Sequence, residues 1–426
     1  MTQNGEAPKE HTLDSSLALL ADGYEFIQKR CREFNSEIFQ TRLLGKKAIC
    51  ISGKEAAELF YDNGKFQRGG AIPKRIQKSL FGENAVQTLD GEAHRHRKAA
   101  FLSLMTPPRL KELAELTLEE WRAAAARWEG RERIVLLEES QEVLCRAACR
   151  WSGVPLADGE ARERADDFGA MVEAFGAVGP KHGEGRRARK KAEAWIEGLI
   201  TEIREGKRVV PEDTAAYVMA YHRDHEGLPL DPRMAAIELI NVVRPIVAIG
   251  RYVVFSAVAL YDYPQCREKV VQGDDTYVQW FVQEVRRFYP FTPFLGAAVR
   301  REFTWKGQTF EEGTMVLLDV YGTTHSPALW DQPDEFRPER FRDWDGSPFD
   351  LIPQGGGDHL TNHRCAGEWL TIDLMKASLR FLTRELAYDV PEQDMHISLS
   401  KMPALPGDGF LMSNTRLTGE AAMRER

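Results

Sequence analysis

The segment Leu351–Leu370, LIPQGGGDHLTNHRCAGEWL, constrains this chain more than any other stretch: three successive glycines, a polar loop, one cysteine, then the apolar spacing of a helix. Gly355, Gly356 and Gly357 permit backbone conformations and close approaches that a side chain forbids, which suits a loop lying against a flat object. Cys365 falls at the mouth of a helix continuing through Thr371 and Met375. The unpaired N–H groups and partial positive charge of a helix N-terminus favour a thiolate over a thiol. Such a sulfur suits the fifth ligand of a haem iron. Two other readings stay open on this segment alone. A lone cysteine is commonly a small buried hydrophobe. His359 and His363 form HxxxH beside Asp358, which zinc could use, although no second cysteine stands at a paired spacing.

Two further motifs precede the loop. Glu284 and Arg287 form ExxR within YVQWFVQEVRRFYPF, and residues 336–341 read FRPERF. ExxR alone is an ordinary i,i+3 helix pair. ExxR, then PERF, then a glycine-rich cysteine loop, in that order across the C-terminal third, resembles the cytochrome P-450 superfamily. The loop departs from the usual pattern of that superfamily, which places a Phe seven residues before the Cys and an Arg two before it; here Asp358 and His363 stand there. QGGGDHLTNHRCAGEW is instead similar to the fatty-acid peroxygenase branch, bacterial haem-thiolate enzymes that use hydrogen peroxide. The similarity extends through QTLDGEAH, VRPIVAI, LDVYGTTH and WDGSPFDLIPQGGG.

The resemblance implies a mainly α fold with small β-sheets, holding haem b between a long central helix and the cysteine loop. It makes Cys365 the axial ligand of the iron and sets His94, Arg97, Lys98, His363 and Gly357 around the haem, the basic residues of EAHRHRK holding its propionates. A solvated charged face would also account for those basic residues. Glu284, Arg287 and Arg340 resemble a buried charge group that braces the cysteine loop, so that their loss costs haem rather than turnover. Phe81, Phe291 and Gln87 match positions lining the pocket; read without the resemblance, the two Phe would be core aromatics and Gln87 a loop amide.

The central helix, Met234 to Tyr263, carries the functional argument. Oxygen-activating relatives place an acid and a Thr above the iron to deliver protons. Here the stretch is Asn241-Val242-Val243-Arg244-Pro245-Ile246, without that pair. Pro245 lacks an N–H, so the carbonyl of Asn241 loses its helical donor and the helix is expected to bend or loosen. Arg244 is costly in so apolar a helix without an anion. A salt bridge or snorkelling to solvent would answer that cost, and so would a bidentate substrate carboxylate. Within the resemblance the carboxylate is favoured: a long-chain fatty acid held by Arg244 supplies the missing acid/base, and hydrogen peroxide serves as co-substrate without a reductase. Hydroxylation at the α or β carbon is expected, with minor decarboxylation to terminal alkenes, since Gln87 stands where decarboxylating relatives commonly carry His. The alternatives are a redox-partner-dependent monooxygenase of the same fold and a non-catalytic haem or fatty-acid carrier.

No linker, low-complexity tract or repeat divides the 426 residues, which points to one domain over 13–417 between loose tails at 1–12 and 418–426. A net charge of -8 argues against nucleic acid or an anionic membrane as partner. The six cysteines are sparse, and Cys145 and Cys149 read as packing residues of a cytoplasmic protein. The N-terminus has neither a signal-peptide core nor an anchor. The apolar run from Met234 to Leu260 includes Glu238, Arg244, Pro245 and Arg251, too polar for an ordinary membrane span. Helices are expected near 17–32, 54–61, 92–105, 111–129 and 186–205, a strand at 48–52, strands of a second small sheet at 304–318, and a hairpin within 387–416. Residues 171–178 read as core or channel lining.

Overall fold

The computed structural model describes residues 6–273 and 275–418. Its body is helical, and the reasons are local. Asp231 caps the central helix Pro232–Ala248, its carboxylate accepting the Met234 N–H at 3.0 Å, and Pro232 occupies the first turn, where no N–H is needed. The next helix, Gly250–Asp262, follows after the single residue Ile249. Pro245 therefore does not end the helix; the break comes four residues later, where the Ile249 N–H reaches back only to Ile246 at 3.1 Å. Both segments are buried almost throughout against the helices Leu136–Ser152 and Pro180–Arg204. The run 232–262 is the one helix among the described residues long and apolar enough to cross a membrane, and it is interior to the protein.

The expected helices form as Ser16–Asp22 with Phe26–Phe34, Lys54–Phe60, Gly91–Leu104, Pro107–Arg127 and Pro180–Arg204. Cys145, Cys149 and Met171 are buried, as packing residues should be, and the helix bearing Met171 ends at Glu173. Aromatic contacts tie the layers together: Trp121 stacks on Phe381 at 5.2 Å, and Phe255 on Tyr289 at 5.0 Å.

The sheet departs from expectation. Met315–Asp319 does not build a second sheet with its neighbours in sequence; it lies parallel to Lys46–Ile51, with Ala48 opposite Met315, and antiparallel to Phe294–Val299. Together with Ile38–Leu43 and Phe66–Gln67 these make one five-stranded sheet drawn from residues 38–67 and 294–319. Only Phe303–Trp305 and Gln308–Phe310 form a separate hairpin. Near the C-terminus, Leu386–Asp389 pairs with Leu411–Leu417, which also takes up Ile134–Val135.

The N-terminal tail is likewise less loose than expected. Residues 1–5 lie outside the described residues, but Gln40 N–H donates to Pro8 O at 2.8 Å and Glu10 N–H to Gln40 O at 3.0 Å, extending the sheet edge. The Glu10 carboxylate accepts from Arg30 at 2.5 Å and Ser15 at 2.7 Å, a buried network that pins this segment. At the other end Thr418 N–H donates to Glu385 O at 2.9 Å, and residues 419–426 lie outside the described residues.

Candidate active site

The cysteine loop is shaped by its glycines against the protein itself. Gly355 and Gly357 adopt φ of 86° and 79°, which side chains resist. A Cβ on Gly356 would meet Pro348 O at 2.4 Å, and one on Gly357 the Asn362 Oδ1 at 2.8 Å. The sequence reading assigned these glycines to a flat ligand; close packing within the chain already requires them. Cys365 sits just ahead of the helix Glu368–Arg380, its N–H donating to Gln354 O at 3.0 Å. The Gln354 side chain donates toward the Cys365 sulfur at 3.9 Å while its amide also reaches Thr371 Oγ1 at 2.9 Å. Burial raises the Cys365 pKa, and the Gly367 N–H is the first influence opposing it. His359 Nε2 lies 3.2 Å from the Cys365 carbonyl, so HxxxH is not turned toward the sulfur as a ligand pair, and no metal-binding cluster occurs among the described residues.

Glu284, Arg287 and Arg340 do come together. Arg287 grips Glu284 with two bonds of 2.8 Å, Arg340 Nε adds one of 3.1 Å, and Glu284 and Arg287 are fully buried. What this group holds differs from expectation. Arg287 donates to the carbonyls of Thr324 and Pro333, at 3.0 and 2.9 Å, so it fixes the segment ahead of PERF. The cysteine loop is braced by the neighbouring Arg286, which donates to Gln354 at 3.2 Å and pairs with Glu368 at 2.6 Å. Glu368 in turn holds Arg364, also at 2.6 Å. The doubled arginine in EVRRF was the available signal; consecutive residues on a helix face different ways, so one Arg serves each neighbour.

Above the loop, the basic helix Gly91–Leu104 presents its residues unequally. Arg97 Nη1 is committed to Glu238 at 2.7 Å, leaving its buried Nε without a partner. Lys98 Nζ donates to the carbonyls of Asn362 and Arg364, the latter at 2.8 Å, and burial lowers its pKa to about 8. The His94 ring stacks on His363 at 3.7 Å, and His363 Nε2 meets Leu89 O at 2.9 Å. Burial keeps both rings neutral, with His94 near pKa 4. Beside them lies Arg68, which sequence reasoning missed: 8% exposed, its guanidinium 4.2 Å from the Phe60 ring centroid, with no ion pair to a described residue. An arginine followed by two glycines, in FQRGG, was the signal for it.

Arg244 is 6% exposed, its Nε has no hydrogen-bond partner, and no carboxylate among the described residues reaches ion-pair distance. Burial, aided by the nearby charge of Arg189, lowers its pKa to about 9, so it stays cationic at neutral pH. Its guanidinium lies 5.8 Å from the Phe81 ring centroid. Phe291 stacks on Tyr252 at 4.1 Å. Gln87 has a buried Oε1 without a donor. Buried polar atoms are ordinarily satisfied, so the unpartnered atoms on Arg244, Gln87 and Arg97 leave each of these residues free to meet a polar ligand group. Together with a hydrogen-bonded, buried cysteine whose charge Arg244 senses, the residues present fit a thiolate-ligated haem.

The comparisons agree. The family model described as Cytochrome P-450 matches residues 274–415. The solved structure of cytochrome P450SP alpha (CYP152B1) is 48% identical, covers 95% of this chain and all of its own, and superposes with a TM-score of 0.94. Cytochrome P450EX alpha (CYP152N1), solved with myristic acid, is 45% identical over 97% of this chain and 99% of its own, with a TM-score of 0.94. Cytochrome P-450 OleT, solved in complex with arachidonic acid, is 41% identical over the same shares, also at 0.94. A haem-thiolate fold with this cysteine loop, this charge group and these neighbours defines the class: the chain belongs to the cytochrome P-450 family. Within that family it lies in the CYP152 branch, the fatty-acid peroxygenases that the departures in its cysteine loop had indicated.

Proposed function

We propose that the protein hydroxylates long-chain fatty acids at the α and/or β carbon with hydrogen peroxide, converting substrate and peroxide to hydroxy acid and water. The observation that carries this is Arg244: a buried guanidinium without a protein anion, on a central helix that lacks the acid–Thr pair. A substrate carboxylate answers both needs. It neutralises Arg244 through a bidentate contact, and it is a base and then an acid at the place where protons must move.

Haem b, ligated by Cys365, would supply the redox chemistry that activates peroxide and inserts oxygen. Arg68 and His94, with Arg97 and Lys98, are the residues that would hold its carboxylates, and His363 and the Gly355–Gly357 backbone belong to the loop that presents Cys365 to it. Arg244 fixes the substrate head, so only the carbons beside the carboxylate lie within reach of oxidation. Pro245 follows Arg244 without an N–H to compete for that head. Phe81 and Phe291 give the chain apolar walls. The substrate carboxylate takes one proton from peroxide and returns it to the departing oxygen, which leaves as water. Gln87, a neutral amide, has no acidic proton to offer, which favours hydroxylation over loss of carbon dioxide. The catalytic apparatus then needs neither NADPH nor a reductase, in keeping with a free cytoplasmic enzyme.

The test is holoenzyme with myristate and hydrogen peroxide against holoenzyme with NADPH and a reductase system, with products identified by mass spectrometry. Hydroxymyristate is expected from the first mixture. Product only from the second would replace this reading with the partner-dependent monooxygenase, and ligand binding without product in either would leave a carrier.

A further inference from the structure

We infer that Glu238 is a positioning residue that sets Phe81 and Gln87 relative to Arg244, and thereby decides which carbon of the bound chain is oxidised. The inference rests on the reading of Arg244 as the carboxylate holder. Glu238 is 0% exposed and lies on the same helix as Arg244, Pro232–Ala248. Its two oxygens gather three separate parts of the site. Oε1 accepts the Val86 N–H at 3.0 Å and Arg97 Nη1 at 2.7 Å. Oε2 accepts Asn241 Nδ2 at 3.3 Å, and that same nitrogen donates to the Phe81 carbonyl at 2.9 Å. Val86 is the residue before Gln87. One carboxylate therefore touches the backbone next to Gln87, the Arg97 side chain, and the amide that grips Phe81.

The neighbouring peptide is held as firmly. Arg189 Nη1 donates to Leu80 O at 2.9 Å, and Arg189 Nε is itself anchored to Glu193 at 2.7 Å. Consecutive carbonyls, Leu80 and Phe81, are thus fixed from two helices, which leaves the Phe81 ring little freedom beside Arg244. A fully buried carboxylate is tolerated only when its lone pairs are filled, and here they are filled by groups on the walls of the substrate site. Arg244 shares no hydrogen bond or ion pair with this network; its guanidinium meets it only at the Phe81 ring, 5.8 Å away, and through the charge of Arg189. Binding of the head group and placement of the chain are consequently served by different residues, and placement errors well under 1 Å change which C–H bond is reached.

Glu238→Gln separates these roles. A carboxamide has one acceptor oxygen and one donor nitrogen. If its nitrogen faces Val86 and Arg97 it opposes two donors. If it faces Asn241, that amide must turn over and take its nitrogen off the Phe81 carbonyl. Asn241→Ala removes the Phe81 donor together with the 3.3 Å bond to Glu238 Oε2 and leaves the Arg97–Glu238 pair intact, so it decides the matter should Glu238→Gln fail to take up haem. In both variants the α:β product ratio from myristate and peroxide should move by about threefold or more, a shift that needs well under one decade of relative rate. The KM for myristate should stay within about twofold, because the carboxylate contact is untouched. A role in stability alone would lower the melting temperature and haem retention while the ratio held. A wild-type ratio in both variants, or in Asn241→Ala where that alone folds, overturns the inference. Wild-type protein that makes no hydroxy acid removes the reading beneath it, and this inference with it.

Discussion

At the scale of single residues, Arg244 carries a full charge where nearly every neighbour is apolar, and the physical cost of that arrangement is the best guide to its use. A guanidinium buried without an anion loses solvation that nothing in the described protein restores. Removing it should therefore disturb the fold little and the reaction greatly. Arg244→Ala is expected to lose about 100-fold or more in kcat/KM for myristate, the scale of a buried charge pair of about 3 kcal/mol, while the thiolate-type haem spectrum survives. Unchanged turnover would contradict the carboxylate role, and loss of the haem spectrum would make Arg244 structural. Gln87 bears on the product. Gln87→His places a titratable donor where the amide has none, so the terminal-alkene fraction measured by gas chromatography should rise.

At the scale of elements, the helix Asp275–Phe288 issues two arginines to two tasks. Arg287 locks Glu284 and the segment ahead of PERF, whereas Arg286 holds Gln354 and Glu368 around Cys365. Breaking a buried pair strands a charge at roughly 3–5 kcal/mol. Glu284→Ala should accordingly give protein that expresses poorly or lacks haem. Arg286→Ala should retain haem but shift its Soret band, because the Gln354 amide facing the Cys365 sulfur loses its tether. A Soret maximum equal to wild type would show that Arg286 does not tune the thiolate. The motifs ExxR, PERF and the cysteine loop were legible because chemistry fixes their spacing within short stretches. Arg286 and Glu238 were not, because groups they hold lie far off in sequence: Arg286 reaches Gln354 and Glu368, Glu238 meets Val86 and Arg97, and periodicity carries no information about such pairs. The same limit explains the sheet. Strand character at Met315–Asp319 is written in its own residues, but its parallel partner Lys46–Ile51 is not. Pro245 taught a third lesson: the lost N–H was read correctly, yet packing on both sides carries the helix past it to Ala248.

At the scale of the whole molecule, the five-stranded sheet joins residues 38–67 to residues 294–319, and its central strand ends in a buried acid. Asp319 is 0% exposed; it accepts the Gly322 N–H at 2.8 Å and the Ser52 hydroxyl at 3.0 Å, linking the ends of two paired strands. Burial outweighs those two bonds and pushes its pKa up to about 7. An unfolded Asp ionises near the usual value of about 3.9. Between these values the folded protein binds more protons than the unfolded chain, so stability declines as pH rises through that window and levels off above it. The ionised folded form then carries a penalty of about 4 kcal/mol. Asp319→Asn removes the charge and keeps both contacts, since its oxygen can accept from Gly322 and its nitrogen can donate to the Ser52 oxygen. The melting temperature of the variant should match wild type near pH 4 and exceed it by several degrees at pH 8, measured by circular dichroism on haem-loaded protein. A difference independent of pH would mean that Asp319 is ionised throughout and that Arg32, the nearest cation acting on it, compensates the burial.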